Sequence, residues 1–233
     1  MQRDFYEAVN TRRSVRSFLP DSVSPEVLDR CLDAARAAPS SSNLQPWEFV
    51  IIRDPAVRAE ANKVCLNQQA ALTAPLLVAV VAHRDTWQRN STEILRVFGE
   101  RGLLRDGQRR YWGRIIPILY RAGPFGLFGV VKRLSSRLLS LLRPTGNMLS
   151  RTDLRIVTHK STALAAATFM LALRAEGIDS CPMEGFDPWR ARKLLKIRSC
   201  AEVCMFIAIG KRAEDGVGYD RILMPREWVI RNI

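Results

Sequence analysis

Pro75-Leu76-Leu77-Val78-Ala79-Val80-Val81-Ala82 is an unbroken apolar run opened by a proline. A run this short, with no polar alternation, reads as a strand buried on both faces, at the centre of a sheet covered by helices. Working outward, Trp47-Glu48-Phe49-Val50-Ile51-Ile52 and the stretch Val203 to Gly210 read as further strands. Helices fill the intervals. Asp4 to Asn10 is a short one. Ser24-Pro25-Glu26 is an N-cap with proline at the first helical position, opening a helix to about Ala38 that Pro39 stops. Asp54-Pro55 opens another to about Ala71, and Asp187-Pro188 a third. Thr158 to Glu176 is a long alanine-rich helix closed by Gly177. Pro39 to Pro46 reads as a polar turn and Cys181 to Phe186 as a loop. The pattern predicts a layered domain in which helices alternate with a few buried strands, α+β or α/β.

The length of 233 residues suits one domain with a full core, or at most two small ones. The balance of 36 basic against 23 acidic residues gives a net charge of +13. That excess is local. Residues 99–160 hold 13 Lys and Arg against 3 Asp and Glu, a net of +10, while the flanking parts are nearly neutral. Nucleic acid, an anionic membrane surface and an anionic small molecule all fit a basic chain. No zinc-finger spacing or aromatic RNA-reader motif supports the first. The start Met1-Gln2-Arg3-Asp4-Phe5 is too polar for a signal peptide, and no apolar run approaches the length of a membrane span. Five cysteines without a CxxC pair fit a reducing compartment better than a disulfide framework.

Three short stretches carry chemistry. Arg12-Arg13-Ser14-Val15-Arg16 sets three guanidinium groups and a hydroxyl in one loop, a donor set that suits a phosphate or a solvated surface. Ser40-Ser41-Ser42-Asn43-Leu44-Gln45-Pro46-Trp47 offers amides and hydroxyls ahead of a strand, for a heterocycle's polar edge or for turn formation alone. Pro182-Met183-Glu184-Gly185-Phe186 puts a glycine where backbone comes close to something, so a backbone N–H there matters more than the carboxylate. Cys200 and Cys204, with the rest of the thiols, read as structural, and no metal site is expected. No Walker A, Rossmann glycine or hydrolase nucleophile pattern is present.

Taken in order, Arg12 to Phe18, Ala38 to Trp47, Gly177 to Asp187 and Ala208-Ile209-Gly210 followed by Arg221 resemble the nitroreductase family of FMN-dependent, NAD(P)H-using oxidoreductases. The resemblance covers residues 1–98 and 156–225. It implies an α+β sandwich with a central, mostly antiparallel sheet flanked by helices, an intertwined homodimer, and FMN at each subunit interface. By position, Arg12, Arg13, Ser14 and Arg221 would hold the phosphate and ribityl chain, and Arg16 the pyrimidine edge. Ser40, Ser41, Asn43 and Gln45 would face the flavin from the other subunit. Asn67 or Gln68 would bond the ring's polar edge, and Pro182, Met183, Glu184 and Gly185 would cover one face with an N–H toward N5. Some members carry a lysine where this chain has Ala70. The implied reaction is ping-pong hydride transfer from NAD(P)H to a nitroaromatic, quinone or similar acceptor, with no side-chain acid or base required. Other implied readings are a specialised member of the fold (reductive dehalogenase, enone reductase or flavin-fragmenting enzyme) and a flavin-binding, membrane-associated protein without efficient turnover. The setting would be cytoplasmic.

The whole chain, 1–233, is then one domain in which 99–155 is a variable basic lid. Gly126 to Arg143 reads as an amphipathic helix, with Leu127, Val130, Val131, Leu134, Leu138, Leu141 and Leu142 on one face. That face would pack over the FMN site or the partner subunit, or residues 124–145 would touch an anionic membrane from its inner side.

Overall fold

A computed structural model describes residues 4–121, 127–142, 144 and 150–233. Four strands form one antiparallel sheet in the order β1-β2-β4-β3: β1 Trp47–Ile52, β2 Leu76–His83, β3 Asp179–Met183 and β4 Ala201–Gly210. The apolar run is central as its composition demands, paired with β1 on one side and β4 on the other. Its alternate residues feed two cores. Leu77, Ala79 and Val81 pack with Ala61, Val64, Phe206 and Met183, while Val78 and Val80 pack with Leu28, Phe169, Leu173 and Ile207.

The helices are α1 Phe5–Thr11, α2 Pro25–Arg36, α3 Pro55–Val64, α4 Gln69–Thr73, α5 Trp87–Glu100, α6 Asp106–Arg110, α7 Ile116–Tyr120, α8 Leu127–Ser140, α9 Arg151–Ala175, α10 Pro188–Leu194 and α11 Arg226–Val229. Helix starts follow the predicted caps. The side chains of Ser24, Asp54 and Asp187 each accept from backbone N–H groups of the first turn, with proline next in line. The long helix α9 begins seven residues before the predicted Thr158, because Ser150 and Asp153 form a reciprocal capping box. Gly177 closes the helix at φ +80, as expected of C′. By length and composition α9 is long and apolar enough to cross a bilayer. It instead lies against α2 and the sheet, burying Leu154, Ala165, Ala166, Phe169 and Leu173.

Two expectations are corrected. The helix from Pro55 does not reach Ala71. It ends at Val64, and Leu66 and Asn67 turn left-handed at φ 58 and 52 before α4 starts. Arg58 clamps the break, donating to the carbonyls of Ala71 at 2.5 Å and Ala74 at 2.7 Å. Cys181-Pro182-Met183 is not a loop but part of β3. Proline is tolerated because β3 is an edge strand, where one row of N–H groups needs no partner.

Candidate functional site

The basic loop after α1 is fixed at both ends. Ser14 forms a parallel bridge to Ser180 of β3, and the Val15 N–H donates to the Ser180 carbonyl at 3.2 Å. The Arg16 N–H donates to the Gly216 carbonyl at 2.8 Å. Gly216 has no room for a side chain, since a Cβ would lie 2.7 Å from the Ser17 carbonyl oxygen. Below the loop, the buried Asp179 carboxylate accepts from Arg174 at 3.0 Å and from Arg212 at 2.8 and 2.7 Å. Arg174 also donates to Thr11, next to Arg12, at 2.9 Å. The loop therefore rests on an ion triad that ties α1, α9 and β3 together.

Above it opens a cleft of about 200 Å³ lined by Arg12, Arg13, Ser14, Arg16, Val217, Tyr219 and Arg221 among others. Arg221, distant in sequence, is drawn in by donating to the carbonyls of Val9, at 3.1 Å, and Arg12. Arg13 donates to the Tyr219 carbonyl, and Arg16 lies over the Tyr219 ring, 5.8 Å from its centroid. None of these four guanidinium groups pairs with a carboxylate among the described residues. Burial first, and then the charge of Arg221, pull Arg12 below the ordinary arginine range. Concentrated positive charge without an internal counter-ion is a site for an anion. The buried Ser180 hydroxyl beside Ser14 also lacks a partner. A phosphate on a polyhydroxyl chain matches this donor set.

Further along β3, Pro182 is half-buried, whereas Met183 turns its side chain into the core and can offer only backbone to a ligand. Glu184 and Gly185 are exposed, and the Gly185 N–H has no acceptor among the described residues. Gln68 donates to the Gly185 carbonyl at 2.6 Å and to the Cys65 carbonyl at 3.1 Å. Its amide nitrogen is committed to bracing this turn. Asn67 beside it is exposed, with a side chain that has no partner among the described residues. Ala70, at the position where some nitroreductases carry a lysine, is 3% exposed in the core, so no second cation enters from that helix.

Ser40, Ser41, Asn43 and Gln45 are not brought to this cleft. They precede β1, at the opposite edge of the sheet, about 14 Å away by strand spacing alone. Asn43 and Gln45 line another, larger cleft of about 920 Å³ with Leu32, Trp47, Phe49 and Asn90. The loop is strained: Ser42, Asn43 and Gln45 have φ of 55, 54 and 45. It is held by residues that sequence reading did not single out. Trp112 Nε1 donates to the Ser42 carbonyl at 3.0 Å, Tyr111 and Ser42 share a hydroxyl hydrogen bond at 2.9 Å, and Tyr120 donates to Ser41 Oγ at 3.0 Å. The Ser41 N–H donates to Ser161 of α9 at 3.2 Å. The aromatic residues interrupting the basic segment were the available signal.

A third cleft, of about 600 Å³, runs from Glu184 to Glu202. Glu202 accepts from Arg155 at 2.5 Å and lies 3.2 Å from His159 Nε2 and 3.6 Å from Arg84. Burial alone would raise its carboxyl, but the hydrogen bond and charge of Arg155, the hydrogen bond with His159 and the charge of Arg84 outweigh it and hold it below the usual range. The thiols are all unpaired, and burial pushes Cys31 and Cys65 up to about 12. Such thiols are not nucleophiles. Among the described residues no His, Cys, Asp and Glu cluster is arranged to hold a metal.

The sequence pattern of the Nitroreductase family matches residues 9–211. Protein DrgA of a Synechocystis species is 31% identical, over 95% of this chain and 90% of DrgA. An NADH dehydrogenase of Thermus thermophilus is 28% identical, over 96% and 94% of the two chains. A structure from Exiguobacterium sibiricum solved in complex with FMN superimposes with a TM-score of 0.74 at 23% identity, covering all of both chains.

Proposed function

Because this chain belongs to the nitroreductase family, we propose that it is an FMN-dependent oxidoreductase that takes hydride from NAD(P)H and delivers it to an electron-poor acceptor, a nitroaromatic or a quinone. The observation that carries this reading is the gathering of Arg12, Arg13, Arg16 and Arg221 around Ser14 without a carboxylate. FMN, when bound, supplies the hydride-accepting ring. The chain binds and orients it. Arg12, Arg13, Arg221 and Ser14 hold the phosphate and ribityl chain, and Arg16 sets a fixed positive charge at the pyrimidine edge. Gly185 would offer its backbone N–H to the ring, and Pro182, the Met183 backbone and Glu184 would help hold it. Asn67 rather than Gln68 meets the polar edge, since the Gln68 amide nitrogen is already engaged. With FMN held there, both substrates would use one site in turn, a ping-pong order that would need position and water exclusion rather than a side-chain acid.

The site requires two copies of the chain. Ser41, Asn43 and Gln45 are exposed at the far edge of the sheet and reach a flavin only from a second subunit. The C-terminal segment supports this reading, because Ile222, Leu223, Trp228 and Val229 are 68–76% exposed and need a partner's surface. The functional unit is thus a homodimer of one-domain chains, 1–233, each with residues 99–155 as a basic insertion. Five unpaired cysteines suit the reducing cytoplasm.

The test is optical. Purified protein should be yellow, bleach when NADPH or NADH is mixed with it in a stopped flow, and recover faster with a nitroaromatic or quinone than with air. A colourless protein that cannot take up FMN overturns the reading. A yellow protein that neither nicotinamide bleaches leaves flavin binding and refutes the reaction.

A further inference from the structure

The described apolar side chains of α8 point outward. In a helix that merely covers its own chain, the apolar row faces inward. Here Val131, Leu134, Leu138, Leu141 and Leu142, spaced along one face of α8 and the turn after it, are 63–85% exposed. Gly129, on the opposite side at about 100° per residue, is buried. A Cβ there would stand 3.1 Å from the Ser150 Cα. Five large apolar side chains in one outward row exceed what scattered surface hydrophobics explain.

The surrounding charge selects the occupant. Residues 99–160 carry 13 cations and 3 anions. A two-fold contact of this face with its own copy would bring two such segments together, and like charges oppose that. An apolar row on a strongly cationic segment is complementary to acyl chains beneath an anionic headgroup layer. We propose that α8 docks this protein on an anionic lipid bilayer, with Leu134 and Leu138 at the centre of the buried face.

The docking element is also joined to the loop before β1. Tyr111, Trp112 and Tyr120, in the same insertion, hydrogen-bond to Ser41 and Ser42. If the flavin reading above holds, attachment brings the rim of that site to the membrane and favours acceptors dissolved in lipid. The docking itself does not depend on that reading, and its test uses no turnover.

The full-length protein, as purified with its flavin, is floated with vesicles of phosphatidylcholine containing phosphatidylglycerol and with phosphatidylcholine alone. The expected result is flotation with the anionic vesicles and release in molar salt, where screening is within about 3 Å. L134E/L138E should bind at least about tenfold more weakly, with flavin absorbance and elution volume unchanged. Wild-type protein that stays at the bottom with anionic vesicles overturns the proposal, as does equal flotation on phosphatidylcholine alone. A double variant that shifts to a larger elution volume, as a dissociated subunit would, while wild-type protein fails to float assigns the face to a partner subunit instead, and equally overturns it.

Discussion

Replacing Asp179 with asparagine tests how the arginine loop is supported. The carboxylate is 4% exposed and makes one contact to Arg174, at 3.0 Å, and two to Arg212, at 2.8 and 2.7 Å. The two arms differ in worth. Arg212 is 37% exposed at its side chain, so solvent screens its pair to no more than about 1 kcal/mol. Arg174 is 10% exposed, and removing the anion leaves a buried guanidinium without its carboxylate, a loss of about 3–5 kcal/mol. The low end applies, because Arg174 keeps its hydrogen bond to Thr11 and asparagine retains a carbonyl. A loss of about 3 kcal/mol lowers the melting temperature of a chain this size by about 6–12 °C. Differential scanning calorimetry at fixed protein and FMN concentration measures it. R212Q should cost about 1 kcal/mol at most. A drop for D179N within the R212Q range, or a larger drop for R212Q, refutes the assignment of the support to the buried arm.

Other outcomes follow from the same geometry. R12A and R221A should each weaken FMN binding by about 2–3 kcal/mol, or roughly 30- to 150-fold, in a fluorescence titration, with helix content unchanged. G216A forces a Cβ to 2.7 Å from the Ser17 carbonyl oxygen, where only backbone could yield, so it should destabilise by about 1–3 kcal/mol in urea unfolding. The Glu202 carboxyl is held below its ordinary value, so its stabilising effect is complete at neutral pH and is lost as pH falls through that lowered value. The stability gap between wild-type protein and E202Q should therefore be open at pH 7 and close in the acid range, as read from denaturant midpoints across pH.

The central strand was legible because Pro75 to Ala82 satisfies one condition, burial on both faces, that few other conformations meet. Caps at Ser24, Asp54 and Asp187 were legible because the side chain that satisfies the helix end lies within three residues of it. The split between α3 and α4 was not, since Leu66 adopts a left-handed conformation that its side chain does not favour. Only Asn67 hinted at it. Pro182 misled for a related reason: it argues against a strand unless the strand is known to be at an edge, and edges are a property of the assembled sheet. The basic cluster at Arg12 to Arg16 was visible as a motif, and Arg221 entered through resemblance. The bracing of Ser41 and Ser42 by Tyr111, Trp112 and Tyr120 spans 69 to 79 positions, which no local pattern reports.

The attachment of those aromatic residues bears on redesign. A basic segment such as residues 99–155 invites exchange with that of a relative, as if it were an interchangeable cassette. Here the cassette contains the pegs that hold a neighbouring backbone in its left-handed conformation. A chimera cut at residues 99 and 155 would discard them and let the loop before β1 relax, losing geometry that belongs to the rest of the chain. A graft that keeps residues 106–121 and exchanges only the segment beyond would separate the two duties and permit a new acceptor range on an undisturbed scaffold.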